Sequence, residues 1–246
     1  MTPDEGLRRL HALGFAPADA RELWEHFDDA ERRGKASHGH SRIAWLETQT
    51  GFDPLATHAV REESDAFWRW DGDGAIGYLT VQAAVRRTIE RPPREARLVV
   101  LERSFPSGML GRYARLLAAG GLVSVLTATS PRRLGHPEGG PKLAGTNPLA
   151  IGIPSSGGDP VVADVSMGAV TWGDVVAGLA SEEQLVPFGG ERAHKAFALA
   201  VGLQLLVDAL VREPGHGVVL LVARPASDPV PALRRLAAGV RLPGDA

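Results

Sequence analysis

Gly72-Asp73-Gly74-Ala75-Ile76-Gly77 is the stretch whose reading decides the fold. It matches G-x-G-x-x-G letter for letter, follows a strand-like run, precedes a helical one, and has Glu102 after the next strand. In that setting three glycines can let a backbone approach a pyrophosphate at a helix N-terminus. Two features argue the other way. The preceding run, Phe67-Trp68-Arg69-Trp70, is bulky and broken by a charge, whereas a central parallel strand is continuously apolar. Asp73 would also set a carboxylate where the pyrophosphate has to sit. The plain-turn reading is favoured, and with it a sheet that is not a Rossmann domain. No Walker A sequence and no H-E-x-x-H spacing is present.

Outward from this turn, residues 78–90 read as a helix stopped by Pro92-Pro93, 97–102 as a short apolar strand, and 111–119 as a helix ended by Gly120-Gly121. A buried strand follows at 122–127, then a Gly- and Pro-rich loop at 135–145 and strands at 149–153 and 161–165. The longest helix spans 192–212, a strand 217–223, and a proline-bearing linker, 225–231, leads to a last helix at 232–238. Residues 62–70 read as extended. On the N-terminal side, Thr2-Pro3-Asp4-Glu5 opens a helix to about Ala12, and Pro17 and Asp19 open a second that closes at Gly34. A third helical piece covers 42–50. Helices and strands alternate after a helical first fifty residues, which implies an α/β layer structure.

The totals are those of an ordinary globular chain. The 246 residues are enough for one large domain or two modest ones, with 44% hydrophobic and 23% charged. Basic and acidic residues number 27 and 29, so no net field attracts nucleic acid or an anionic membrane. Cysteine is absent, which excludes disulfides and thiol chemistry and fits a reducing compartment. The sequence shows no signal-peptide pattern and no run of about 18 uninterrupted apolar residues. A cytoplasmic protein is expected.

Chemistry concentrates in Lys35-Ala36-Ser37-His38-Gly39-His40-Ser41-Arg42. An imidazole holds or releases a proton near neutrality, and an arginine four residues on offers a fork for a carboxylate. If the segment stays helical, His38 and Arg42 share a face. Reduction of a 2-oxo acid needs such a pair; the plainer alternative is a helix end with a solvated basic edge. His40 reads as an exposed loop histidine.

Three later stretches are Gly145-Thr146-Asn147-Pro148-Leu149-Ala150, Asp164-Val165-Ser166-Met167-Gly168, and Gly189-Gly190 leading to His194-Lys195. In this order, after Ser37-His38-Gly39 and before Leu242-Pro243-Gly244-Asp245, they resemble the malate/L-lactate dehydrogenase type 2 family. The resemblance runs through nearly the whole chain. It implies a mixed α/β protein with a helical N-terminal domain, 1–62, to which 226–246 returns, and a non-Rossmann nucleotide-binding domain, 63–225. It implies NADH or NADPH as cofactor, a 2-oxo acid or cyclic 2-imino acid as substrate, and a homodimer.

Carried over by motif, His38 is the proton donor, Ser37 orients it or bonds the substrate, and Arg42 grips the substrate carboxylate. Thr146 and Asn147 are further substrate candidates, an Asn-Pro turn being the plainer reading. The cofactor candidates are Asp164, Val165, Ser166, Met167, His194, Lys195, Pro243, Gly244 and Asp245. Departures are visible. Phe105-Pro106 stands where the family usually has a histidine, Ala128-Thr129-Ser130 lacks an amide, and the insert between Gly173 and Lys195 is short. A compact reductase of a specialised biosynthetic pathway is expected; the alternative is a non-redox descendant that binds a ligand or moves a proton without NAD(P).

Overall fold

The computed structural model describes residues 1–245. Its strands in chain order are β1 (Ala59–Glu63), β2 (Phe67–Asp71), β3 (Ala96–Glu102), β4 (Val123–Ala128), β5 (Leu149–Ile153), β6 (Val161–Val165) and β7 (Val218–Ala223). They form one mixed sheet in the order β1-β2-β3-β7-β4-β5-β6, in which β2 and β3 are parallel and the other neighbours antiparallel. The helices are α1 (Pro3–Ala12), α2 (Pro17–Arg32), α3 (Ser41–Leu46), α4 (Gly77–Glu90), α5 (Leu110–Ala119), α6 (Trp172–Val176), α7 (Ala193–Leu210) and α8 (Val230–Leu236). The mixed α/β class expected from the sequence is observed.

The glycine-rich turn is a turn. β2, α4 and β3 do form a parallel strand–helix–strand unit, but the glycines serve backbone contacts inside it. The Gly72 N–H donates to the Glu102 carbonyl at 2.9 Å. A Cβ on Gly77 would stand 2.5 Å from the Ser104 carbonyl carbon, so the loop after β3 lies directly on the start of α4. Arg103 closes over the turn, pairing with Asp71 at 2.6 Å and Asp73 at 3.0 Å. The charge within β2 is accommodated because Arg69, buried, pairs with Glu102 and donates to the Leu210 carbonyl. The stretch expected to be one extended run over 62–70 is instead a hairpin, β1 to β2. Ser64 turns it, its hydroxyl and the Phe67 backbone bonding each other at 3.0 Å in both directions.

α4 and α5 cover one face of the sheet, where Trp68, Val81, Val85, Val99, Leu117, Leu126 and Leu220 form the main core. Strand alternation sends neighbours to opposite faces: Ala150 faces this core, while Leu149 faces Met167 and Ala200 of α7. α1, α2 and α3 build a second core from Leu10, Leu23, Phe27, Ile43 and Leu46, joined by Ile76 and Tyr78 at the start of α4. Each such side chain contributes about 1.5–3 kcal/mol by leaving water. Thr2 caps α1 through the Glu5 N–H, and Pro3 supplies the first helical residue. Gly6 admits the Trp24 ring to where a Cβ would be, which brings α1 and α2 close together.

Residues Gly190–Leu210 are long and apolar enough to cross a membrane by length and composition. Here the stretch packs on the sheet through Ala196, Ala200 and Val207, with Gln204 buried and hydrogen-bonded. The segment after β7 is fastened to the β5–β6 hairpin: Asp228 accepts from Ser156, Arg234 donates to the Asp159 carbonyl, and the Val162 N–H bonds the Pro243 carbonyl. Among the described residues, none of its hydrogen bonds or ion pairs goes to 1–62.

Candidate active site

A cavity of about 300 Å³ opens where the helical unit meets the sheet layer. Its first wall is the segment after α2. Gly34, at φ +70°, ends that helix, and Ala36–His38 form a single 3-10 turn. Gly39 then breaks the chain before α3, because a Cβ would fall 2.0 Å from the Glu31 carboxylate that accepts from the His40 N–H. Residues 38–42 are therefore not one helix. It is the turn and the break, rather than a shared helical face, that bring Ser37, His38 and Arg42 to the cavity together.

His38 is partly buried, and its Nδ1 is buried without a partner. Burial, then the nearby Arg42 and Lys35 charges, push its pKa down to about 4, against an opposing pull from Asp174. The imidazole is thus neutral at neutral pH. Arg42 is buried, its guanidinium carbon 5.1 Å from the Trp45 ring centre and its Nε without a partner. An arginine so placed keeps donor capacity that the described residues do not use.

Opposite lies the start of α6. Thr171 and Asp174 form a capping box there, the Thr171 N–H donating to Asp174 at 2.7 Å. Burial raises the Asp174 carboxyl, but hydrogen bonds from the Thr171 backbone and from the Ser37 and Thr171 hydroxyls outweigh it, holding the group ionised. Trp172 carries Arg133, whose guanidinium carbon lies 3.7 Å from the ring centre. The floor is made by Thr146, Asp164 and Ser166. Asp164 accepts from the Gly111 N–H at 2.9 Å at the start of α5, and burial raises its pKa against that bond.

Of the residues expected from the sequence, Ser37, His38, Arg42, Thr146, Asp164 and Ser166 line this one cavity. The others lie elsewhere. Asn147 is fully buried, donating to the Ala200 carbonyl and Gln204 and accepting from the Ser130 N–H. Met167 belongs to the core beneath α7, and Val165 is half exposed on β6. His194 and Lys195 are exposed on the first turn of α7. Pro243-Gly244-Asp245 lies against β6, with Asp245 paired to Arg234. His40 is no exposed loop residue: it stacks on Trp24 with ring centres 4.7 Å apart and faces Asp28. Sequence reasoning missed Arg133, Trp172 and Asp174. The pattern Thr171-Trp172-Gly173-Asp174, a capping box, was the signal for the last two.

Residues 6–184 match the family model described as malate/L-lactate dehydrogenase. A (2R)-3-sulfolactate dehydrogenase (NADP(+)) of Chromohalobacter salexigens is 31% identical over 171 residues, 68% of this chain and 51% of that protein. A Delta(1)-pyrroline-2-carboxylate/Delta(1)-piperideine-2-carboxylate reductase of Pseudomonas syringae pv. tomato is 30% identical over 240 residues, 83% of this chain and 67% of that protein. The crystal structure of delta1-piperideine-2-carboxylate reductase from that organism shares the fold with a TM-score of 0.80 at 26% identity, covering 98% of this chain and 89% of the other. The chain spans about half to two thirds of the length of these curated relatives. By this match it belongs to the malate/L-lactate dehydrogenase family.

Proposed function

We propose that the chain is an NAD(P)H-dependent reductase of a 2-oxo acid or a cyclic 2-imino acid, with His38 as proton donor. The observation that carries this reading is the pairing of His38 with Arg42, both holding buried, unpartnered nitrogens, in one cavity. A nicotinamide nucleotide supplies the hydride when bound. Polar groups that such a ring and a short acid could use share the lining: Asp164, which accepts from Gly111, and Ser166, whose hydroxyl donates to the Thr146 carbonyl, stand in the same wall as His38 and Arg42 with their unpartnered nitrogens. We assign the ring end to Asp164 and Ser166. His194, Lys195 and the stretch 243–245 are proposed for more distant parts of the dinucleotide on the resemblance alone.

Arg42 grips the carboxylate and thereby fixes the neighbouring carbon. That same contact offsets the positive charge that helps keep His38 deprotonated. Binding the acid therefore raises the proton affinity of His38, and the proton is taken up where it is needed. Thr146, at the cavity floor, is the further substrate contact. The protein is proposed to work in the cytoplasm as a homodimer. Leu199, Leu205 and Leu206 of α7, with Leu221 and Ile151 on either side of Val125 in the sheet, are the exposed apolar side chains that we propose a second copy would cover. Oxidation of NADH and NADPH followed by absorbance, with 2-oxo acids and cyclic 2-imino acids in turn, tests the activity. Turnover of none of them, together with no thermal stabilisation by either nucleotide, rejects it.

A further inference from the structure

The reaction as described asks a buried imidazole to carry a proton among cations. Arg42 on α3 and Lys35 on its own segment oppose the charged form of His38, while His26 of α2 and Tyr78 of α4, both buried, stay neutral. Once protonated, the ring has two N–H donors, and its Nδ1 is buried with no partner among the described residues. A charge in such a place has to be met by one of opposite sign.

Among the described residues, two carboxylates line the cavity, Asp164 and Asp174. Asp164 is engaged by the Gly111 N–H, and burial pushes it toward its neutral form. Asp174 stands differently. The Ser37 carbonyl and the Arg42 Nη2 both pack on Gly173, so the opening of α6 lies on the turn that carries His38. Asp174 follows that glycine and takes both of its Thr171 bonds on Oδ2, at 2.7 and 2.8 Å, which keeps Oδ1 out of the cap. Its other donor is the hydroxyl of Ser37, the residue before His38. These bonds hold the carboxylate ionised, and its field favours the charged ring. The cap itself needs an acceptor rather than a charge, since glutamine serves at this position as glutamate does.

We propose that Asp174 is the counter-ion of His38, a positioning residue that remains a carboxylate throughout while the imidazole holds its proton and passes it to the substrate oxygen or nitrogen. This rests on the reductase reading above. The test separates charge from cap. Asp174→Asn and Asp174→Gln keep an acceptor for the Thr171 N–H and lose the charge, whereas Asp174→Glu keeps both. Imidazole ring resonances, with that of His38 identified by its absence in His38→Gln, report protonation without turnover. About a quarter of His38 should be charged at pH 4.5 in the wild type. Loss of an opposite charge lowers a pKa by about one unit or more, so roughly a few per cent should be charged in Asp174→Asn. Reduction of 2-oxobutanoate at pH 6, with whichever of NADH and NADPH the wild type oxidises, should fall about tenfold in kcat/KM in Asp174→Asn and Asp174→Gln. Asp174→Glu should stay within about threefold of wild type, and the nucleotide KM within about twofold in all three. An unmoved His38 titration in Asp174→Asn, or in Asp174→Gln should the first variant not fold, overturns the proposal. A rate loss shared by Asp174→Glu would then assign Asp174 to the cap, and a raised nucleotide KM to the cofactor. A titration that moves while the rate does not also overturns it. If the wild type reduces no acid, the reductase reading fails, and the His38 resonance still decides whether Asp174 is its counter-ion.

Discussion

Arg42 lies against Gly173 with nothing between them: a Cβ on the glycine would stand 2.3 Å from the arginine Nη2 and 2.8 Å from the Ser37 carbonyl oxygen. The first turn of α6 can close on the cavity because that residue has no side chain. Gly173→Ala must push the guanidinium aside or lift α6 away. Displacements of about 1 Å at a positioning group can cost about 10²-fold in rate. The expected outcome is a loss of that order in kcat/KM for the acid, with nucleotide affinity within about twofold of wild type. Steady-state kinetics and a fluorescence titration measure the two.

The pH dependence follows from His38. Its pKa of about 4 in the free site means that reduction, which needs the protonated ring, should lose kcat/KM about tenfold per unit as pH rises above 4. The reverse oxidation, which needs the neutral ring, should instead reach a plateau above that value. In kcat the break should move upward, because the bound acid shields Arg42. His38→Gln should lower kcat by about 10²–10⁴-fold.

The same group also marks stability. Between its ordinary value of 6.5 and about 4, the unfolded chain takes up a proton at His38 that the folded chain refuses. Folding is therefore weakened as pH falls through that window. Melting temperatures at pH 7.5 and 4.5 should drop further for wild type than for His38→Gln. His26, buried and also held well below the ordinary range, is common to both proteins and cancels in the comparison.

Asp71 gives a prediction of the same sign in pH from the opposite cause, a carboxylate held charged rather than an imidazole held neutral. Hydrogen bonds from Arg103 and then Arg61, acting against burial, hold its pKa at about 2. Its contribution is complete above the unfolded value of 3.8 and fades as pH falls toward 2. Asp71→Asn should cost about 2 kcal/mol at neutral pH. Urea unfolding at pH 7 and pH 2.5 should show most of that difference disappearing in acid.

Replacing an exposed leucine of α7 tests the proposed dimer. Leu205 is 59% exposed, and a charge there costs a monomer little. Leu205→Glu should move the protein to the monomer mass in sedimentation equilibrium without lowering its melting temperature in dilute solution by more than a few degrees.

How much the sequence revealed depended on how local each signal was. α2 was readable because Ala20, Leu23, Trp24 and Phe27 repeat at helical spacing, and all four are buried. β4, β5, β6 and β7 were readable as short apolar runs between turn residues. The hairpin between β1 and β2 was not, since Ser64 turns it without glycine or proline. α6 has five residues, too few for a periodicity, so Trp172 and Asp174 could be found only through the cap. Arg133 sits beside the bridge between Leu134 and Ala144, its own N–H bonded to the Ala144 carbonyl, a pairing across a loop that no local pattern announces. Asn147 is fixed by Gln204 on a distant helix, and its motif alone could not say whether it faced a ligand or a core.

The bond between the Asp164 carboxylate and the Gly111 amide joins the edge strand to the opening of α5 at the cavity floor. Any molecule that draws Asp164 toward itself leaves that amide without its acceptor. Gly111 is thereby a natural reporter of occupancy: its nitrogen–proton resonance and its deuterium uptake register the filling of the cavity, whichever chemistry follows.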